Sequence, residues 1–415
     1  MREVRRVFRR FWGIAMTQSE DHLFGVYARA PIEVERGEGS RLYDRSGREY
    51  LDFVQGIAVN GLGHANPVLI DALNAQAQKL WHVSNIFRIP GQDELAGKLC
   101  ASSFADQVFF TNSGTEAVEC ALKLARKYHA SKGHDERIDI IGFQGAFHGR
   151  TYAAVTAAGN QTYLEGFGPR LPGFVNVSLD DHDALRAAAE APTAAAILVE
   201  PVQGEGGARA LTDPELQMLR DLCDANGLLL IFDEIQCGMG RSGKLWAYEH
   251  SGVTPDVMCI AKALGGGFPI GACLATREAA SGMVVGSHGS TFGGNPLAMA
   301  VGIAAFDEIS KPELLENVVK VSGYLKQQLE GLKQTYPDMI ADVRGKGLLI
   351  GIKLKPNNRE MMALARDNGL LVAGGGENCI RMLPALNLTE ADAREALERL
   401  EKTFVAAREK AKETA

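Results

Sequence analysis

Residues 228–262 constrain this chain more than any other stretch. The apolar run Leu228-Leu229-Leu230-Ile231-Phe232 reads as a buried strand that delivers Asp233 at its carboxyl end. A second run, Val257-Met258-Cys259-Ile260-Ala261, delivers Lys262 the same way, and Gly265-Gly266-Gly267-Phe268-Pro269 follows at once. Two short buried strands that each end in an ionisable side chain fit an open α/β sheet, where ligands sit outside the carboxyl ends of strands. A strand-end Lys can form a Schiff base with a cofactor aldehyde, and a strand-end Asp can keep a pyridine nitrogen protonated. Taken singly, each is better explained as a surface Lys and an Asp that starts a turn. Their pairing with a phosphate-binding feature elsewhere in the chain is what points to pyridoxal phosphate chemistry.

Around these strands the sequence alternates apolar runs with helical periodicity between about residues 67 and 296. Strands are expected near 108–110, 138–143, 195–199, 228–232, 257–261 and 272–275. That alternation predicts an α/β fold, a mostly parallel sheet wrapped by helices. One helix is marked at both ends, by Thr212 as N-cap with Glu215 completing a capping box, and by Gly227 past its end. Residues 42–52 read as a hairpin turning at Ser46-Gly47. The expected organisation is a leader over 1–15, an N-terminal segment over 16–66 joining a smaller domain, a large domain over 67–296, and a small α+β domain over 297–415. In the last, a helical run leads through Gly345-Lys346-Gly347 to a strand at 348–354, then a crossing around Arg381 and a charged helix from Thr389.

Composition narrows the partners. A formal net charge of -7 argues against nucleic acid, which favours a basic surface. No apolar run approaches the roughly 18 residues of a membrane span. The seven Cys are odd in number and form no C-x-x-C, which suggests reduced thiols in the cytoplasm and no zinc site. The leader alternates Arg2, Arg5, Arg6, Arg9 and Arg10 with apolar residues, as an organellar address can. It lacks Ser, however, and Met16 follows directly, so a disordered extension that carries no chemistry is the expectation.

Four further motifs stand beside Lys262 and Asp233. Thr111-Asn112-Ser113-Gly114-Thr115-Glu116 joins a strand to an amphipathic helix, with Ser113 and Glu116 as a capping box. A helix N-terminus opened by small residues is an anion site, so Gly114 and Thr115 are candidates to hold a phosphate, although alone the pattern is more simply a routine cap. In Phe147-His148-Gly149-Arg150-Thr151 an aromatic could stack on a ring and an Arg could clamp a carboxylate. Spacing does not separate that from a packed Phe beside a solvated Arg. Glu200-Pro201-Val202-Gln203-Gly204-Glu205-Gly206-Gly207 sets two carboxylates at the sheet edge, suited to orienting partners or to an Arg counter-ion, without the surroundings of a metal site. Finally, Gly238-Met239-Gly240-Arg241-Ser242-Gly243-Lys244 fits two nucleotide-binding patterns. Leu245 stands where magnesium would need Ser or Thr, and Asp233 to Cys237 separate the glycines from the strand, so nucleotide is rejected.

With "TNSGTEAVE", "FHGRT", "EPVQGEGG", "FDEIQCGMGRSG", "IAKALGGGFPIGA" and "HGSTFGGNP" in this order, the chain resembles the class III aminotransferases from about Tyr43 onward. These are fold-type I pyridoxal 5'-phosphate enzymes. The resemblance implies that Lys262 is the Schiff-base lysine and Asp233 the partner of the pyridinium nitrogen. It places Gln236 near the cofactor's phenolic oxygen, Phe147 over its ring, and Gly114 and Thr115 on its phosphate. Thr291 matches a residue that reaches the phosphate of the other subunit in a homodimer, with Ser290 beside it near substrate. Arg150 and Arg381 match two substrate-carboxylate anchors, and Glu205 the acid that pairs with Arg381 when no α-carboxylate occupies it. The implied reaction passes the terminal amine of N2-acetyl-L-ornithine to 2-oxoglutarate. Succinylornithine, N-succinyl-diaminopimelate, ornithine and 4-aminobutyrate are the alternative donors. Relatives acting on ornithine carry a Tyr in the stretch that here reads "DFVQGIAVNGLGH", which has none.

Overall fold

The computed structural model describes residues 22–413, and the expected leader over 1–15 lies outside the described residues. Three strands come first: β1 (Val34–Glu38), β2 (Arg41–Asp44) and β3 (Glu49–Asp52). The last two form the expected hairpin, whose turn is held by Asp44, with Oδ1 accepting from the Ser46 and Arg48 N–H groups.

The central sheet collects β4 (Gln107–Thr111), β5 (Asp139–Phe143), β6 (Phe174–Val177), β7 (Ala194–Val199), β10 (Leu229–Asp233), β11 (Val257–Ile260) and β12 (Gly271–Ala275). Between its β7 and β10 the chain makes a short ribbon, β8 (Val202–Gln203) with β9 (Arg209–Ala210). The sheet order is β4-β12-β11-β10-β7-β5-β6, and β12 alone runs against its neighbours. Every residue of β7, β10 and β11 is buried, as parallel strands covered on both faces require. One face packs on the helix Gly114–Ser131 through Ala117, Ala121 and Leu124, the other on the helix Asp213–Asn226 through Leu216 and Leu219. The latter helix has the capping box of Thr212 and Glu215, and ends at Gly227 in the left-handed conformation that glycine adopts without a Cβ penalty.

At the other helix the capping box is only half formed. The Ser113 hydroxyl accepts from the Glu116 N–H, but the Glu116 carboxylate takes the N–H and side-chain amide of Asn112 in place of the Ser113 N–H. The N–H and the side-chain amide of Asn112 both reach the same Glu116 oxygen. Strand β6 was also not foreseen: it is a four-residue, half-buried edge strand after Pro172-Gly173, too short to show a period.

The remaining strands are β13 (Ile340–Lys346), β14 (Leu349–Leu354), β15 (Leu370–Leu371), β16 (Ala373–Gly375) and β17 (Cys379–Met382). Four of them form a second sheet, β13-β14-β17-β16, while β15 pairs with β3 and so ties the N-terminal segment to the C-terminal part. The helix Pro312–Thr335 packs on β13 and on the helix Glu390–Glu413, which also reaches β15, and Val318, Leu325, Leu400 and Phe404 join one apolar core there. The helix Pro296–Ile309 instead packs on Pro67–Ala77, and its Gly302 lies against Leu95 and Ile270 with little room for a side chain. Among the described residues no helix is long and apolar enough to cross a membrane.

Candidate active site

Strands β4, β5, β7, β10 and β11 share one direction, so their carboxyl ends gather on one edge of the central sheet. Each releases a candidate group there. Asp233 ends β10 at 3% exposure, flanked by Glu200 after β7 and Lys262 after β11. Lys262 opens a single 3-10 turn with φ of 49°, an uncommon conformation for a non-glycine residue, which marks a backbone held by its surroundings. Burial holds the Lys262 amine below its usual range, with the carboxylates of Asp233 and Glu200 pulling the other way.

Asp233 is fixed from two sides. Its Oδ1 accepts the Ile235 N–H at 3.0 Å, and its Oδ2 lies 2.8 Å from Nδ1 of the fully buried His148. Burial alone would lower His148, but the hydrogen bond and charge of Asp233, with Glu200 behind, raise it above its usual value. Nε2 of His148 has no partner among the described residues. Glu200 accepts the N–H of Phe147 at 2.7 Å and of Gly204 at 2.9 Å, tying the loop after β5 to the loop after β7. Burial pushes Glu200 up to about 7, against the pull of His148 and those two donors.

The helix Gly114–Ser131 opens at the same edge. Of its first N–H groups, that of Glu116 goes to the Ser113 hydroxyl and that of Ala117 to the Ser113 carbonyl. The amides of Gly114 and Thr115 keep no protein acceptor among the described residues, the state an anion site needs. Gly149 presses on Thr115 so closely, at φ of 126°, that a Cβ would collide with the threonine side chain. Thr115 in turn lies 3.0 Å from the Thr151 hydroxyl, which donates to Glu119.

Arg381 arrives from the second sheet, on β17, opposite Gly351 of β14. Gly351 has no space for a Cβ because the backbone of Gly207 and the Ala208 side chain pack on it, and this brings the Glu205 loop onto Arg381. The guanidinium, 2% exposed, donates to Glu205 at 2.6 Å, to the Gly374 carbonyl at 2.8 and 2.6 Å, and to the Gln236 side chain at 3.3 Å. Arg150, by contrast, is exposed and lies over the Tyr163 ring, 3.7 Å from its centroid. Phe147 is half-buried beside it, edge-on to Tyr163. Thr291 is exposed on the loop after the apolar pair Val284-Val285, and Ser290 accepts from the Gly293 N–H and the Asn112 amide.

Thus Lys262, Asp233, Gln236, Gly114, Thr115, Phe147, Glu205 and Arg381 converge on the sheet edge or the loops that hang from it, while Arg150 and Thr291 sit at its exposed rim. Sequence reasoning gave His148 no role, though it stood inside a quoted motif, and it read Glu200 only as one of two carboxylates suited to orienting partners; the structure has Glu200 holding the Phe147 and Gly204 N–H groups. The segment over 238–244 is followed by no α-helix, only by a 3-10 turn at Ala247–His250, so it lacks the helix N-terminus that a phosphate-cradling glycine loop needs. Among the described residues no His/Cys/Asp/Glu group could hold a metal ion.

A doubly wound sheet with Lys and Asp at neighbouring strand ends over a helix N-terminus is the fold-type I arrangement of pyridoxal phosphate enzymes. Residues 26–404 match the Aminotransferase class-III family. The acetylornithine aminotransferase 2 of Caulobacter vibrioides is 66% identical over 396 residues, 95% of this chain and 98% of that protein. Among solved structures, the N-acetylornithine aminotransferase of Stenotrophomonas maltophilia superposes with a TM-score of 0.81 at 38% identity, covering 93% of this chain and 98% of that one. The ornithine aminotransferase of Toxoplasma gondii superposes with a TM-score of 0.90 at 31% identity, covering 97% and 98%. This chain belongs to the class-III aminotransferases, which are pyridoxal-phosphate-dependent transaminases. The higher TM-score falls on the structure with the lower sequence identity, so backbone shape follows the family and side chains must decide the substrate.

Proposed function

We propose that this enzyme moves the terminal amino group of N2-acetyl-L-ornithine to 2-oxoglutarate, giving N-acetyl-L-glutamate 5-semialdehyde and L-glutamate, a step of arginine biosynthesis. The observation that carries this reading is the ion pair of the buried Arg381 with the half-buried Glu205. A donor reacting at a terminal amine has no carboxylate next to the reacting carbon, whereas 2-oxoglutarate has one. A single site that serves both needs an Arg that can be neutralised from within, because an unpaired buried charge is costly. Arg381 binds the adjacent carboxylate of 2-oxoglutarate or glutamate, Glu205 replaces it during the donor half, and Arg150 holds the distant carboxylate of either. The names of the 66% identical Caulobacter relative and of the Stenotrophomonas structure agree with this donor.

The residues fit pyridoxal phosphate. Two open amides and a threonine suit its phosphate, Phe147 its ring face, and Asp233 its ring nitrogen, since the buried carboxylate spends only one hydrogen bond on each oxygen. When bound, the cofactor supplies an electron sink for the carbanion next to the reacting nitrogen. Lys262 supplies the amine that attaches the cofactor, and its lowered basicity keeps the Nζ neutral more readily, as a general base must be. With the cofactor bound, Nζ of Lys262 would take the proton from the carbon bearing the reacting amine and later return one. His148 and Ile235 hold Asp233 in place, and Gln236 lies beside Arg381 within the same loop cluster.

A homodimer is the active unit in this reading. Trp81, Ile86, Phe87, Val285 and Phe292 are exposed near the Ser290–Thr291 loop, where a second copy would cover them and Thr291 would reach its partner's phosphate. Seven free cysteines, six of them buried, fit a reducing cytoplasm. The test is a panel of amine donors with 2-oxoglutarate: acetylornithine, succinylornithine, N-succinyl-diaminopimelate, ornithine and 4-aminobutyrate. Acetylornithine should give the highest kcat/KM. A higher value with ornithine or 4-aminobutyrate would overturn the assignment, and one with a succinyl donor would change the acyl group.

A further inference from the structure

We propose that Tyr163 is a positioning residue that presets Arg150 for carboxylate capture, so that the substrate anchor is a stacked Arg–Tyr unit. This rests on the assignment of Arg150 to the distant carboxylate. Arg150 has no ion pair and no hydrogen bond among the described residues; its contacts are aromatic, 3.7 Å from the Tyr163 centroid and 5.7 Å from that of Phe147. An exposed Arg without a carboxylate would ordinarily sample many rotamers. Here the guanidinium carbon sits over a ring at stacking distance, and a stacked guanidinium keeps its in-plane N–H groups free to fork a carboxylate.

The ring is itself held. Tyr163 lies in the short helix Gln161–Leu164, which Asn160 caps by accepting the Thr162 N–H and whose Leu164 is buried. Tyr163 meets Phe147 edge-on, with centroids 6.2 Å apart and ring planes at 90°. Phe147 is fixed in turn by its N–H bond to Glu200, so the stack is referenced to the carboxyl end of β7. The Tyr163 hydroxyl has no hydrogen-bond partner among the described residues, so the ring face and not the O–H carries the interaction. Chemically, the unit reads a carboxylate several carbons from the reacting centre, which both a terminal-amine amino acid and 2-oxoglutarate present. It acts on binding and not on proton transfer.

The experiment titrates holoenzyme with glutarate, a dicarboxylate without keto or amino group, by calorimetry, and measures KM and kcat for 2-oxoglutarate in parallel. Tyr163→Leu should weaken glutarate roughly 2- to 5-fold, the worth of an exposed cation–π contact, and raise KM by a similar factor at unchanged kcat. Tyr163→Phe should match the parent, and Tyr163→Trp should bind at least as tightly. In an Arg150→Ala background, Tyr163→Leu should have no further effect. Equal weakening in that background, or loss with Tyr163→Phe, would overturn the proposal. So would unchanged binding by both Tyr163→Leu and Tyr163→Gln in folded, pigmented protein. If Arg150→Ala alone leaves glutarate binding intact, the anchor assignment fails first, which separates that error from one about Tyr163.

Discussion

Glu205→Gln should tilt the enzyme toward α-carboxylate substrates without disturbing its fold. The glutamine keeps the length of the side chain and a carbonyl oxygen that can still accept from Arg381 Nη2, so only the charge is lost. In the parent, glutamate must displace Glu205 from Arg381 before its own carboxylate can bind. A hydrogen bond to a charged group contributes about 1.5–3 kcal/mol. The Glu205 side chain is 34% exposed, and solvent screening brings the effective cost to about 1–2 kcal/mol. Removing it should lower KM for glutamate by roughly 5- to 30-fold. The acetylornithine half gains nothing, because its donor puts no carboxylate there and Arg381 is left with only neutral acceptors, Gly374, Gln236 and the introduced glutamine. Single-turnover spectra of each half-reaction, followed by the cofactor's absorbance, give both values separately. An unchanged ratio of the two, or a fall in the glutamate half alone, would refute the division of labour between Arg381 and Glu205.

Three further outcomes are expected. Lys262→Ala should abolish turnover, and borohydride reduction of the parent followed by peptide mapping should place the cofactor on Lys262; label on another lysine contradicts the assignment. Mixing the inactive variants Lys262→Ala and Thr291→Ala should restore part of the activity, since a mixed dimer has one site with both native residues, whereas an active monomer in sedimentation would contradict the shared site. Burial pushes Glu234 up to about 8, although it accepts the N–H groups of Ala247 and Tyr248. Its folded value lies above the unfolded one, so its stabilisation is complete below about 4.5 and is lost as pH rises through about 8. Melting temperature should therefore fall as pH rises from about 4.5 to about 8, and Glu234→Gln should flatten that fall.

The sequence carried the central sheet because parallel strands covered on both faces must be apolar throughout, and β7, β10 and β11 are. It carried Lys262 and Asp233 because each follows such a run directly. What it could not carry depends on approach between distant elements. The half-formed cap at Ser113 turned on whether the Ser113 N–H or the donors of Asn112 lay closer to the Glu116 carboxylate, which spacing does not encode. The role of Arg150 stayed open for the same reason: Tyr163 stands 13 positions away, and nothing in "FHGRT" indicates the ring it rests on. Arg381 and Glu205 are separated by 176 positions and meet only because Gly351 lets two backbones touch. Substrate choice is written in contacts of this second kind. That is why a superposition at TM-score 0.90 joins this chain to an ornithine enzyme whose backbone it shares. The difference must lie in a handful of side chains at the site, and the stretch over 52–64 is the place to look. Its Gly61 lies against Ala263, beside Lys262, and Asn60 lies beside Gly267, so a bulky residue introduced at position 61 would press on Ala263 and Leu386 next to Lys262.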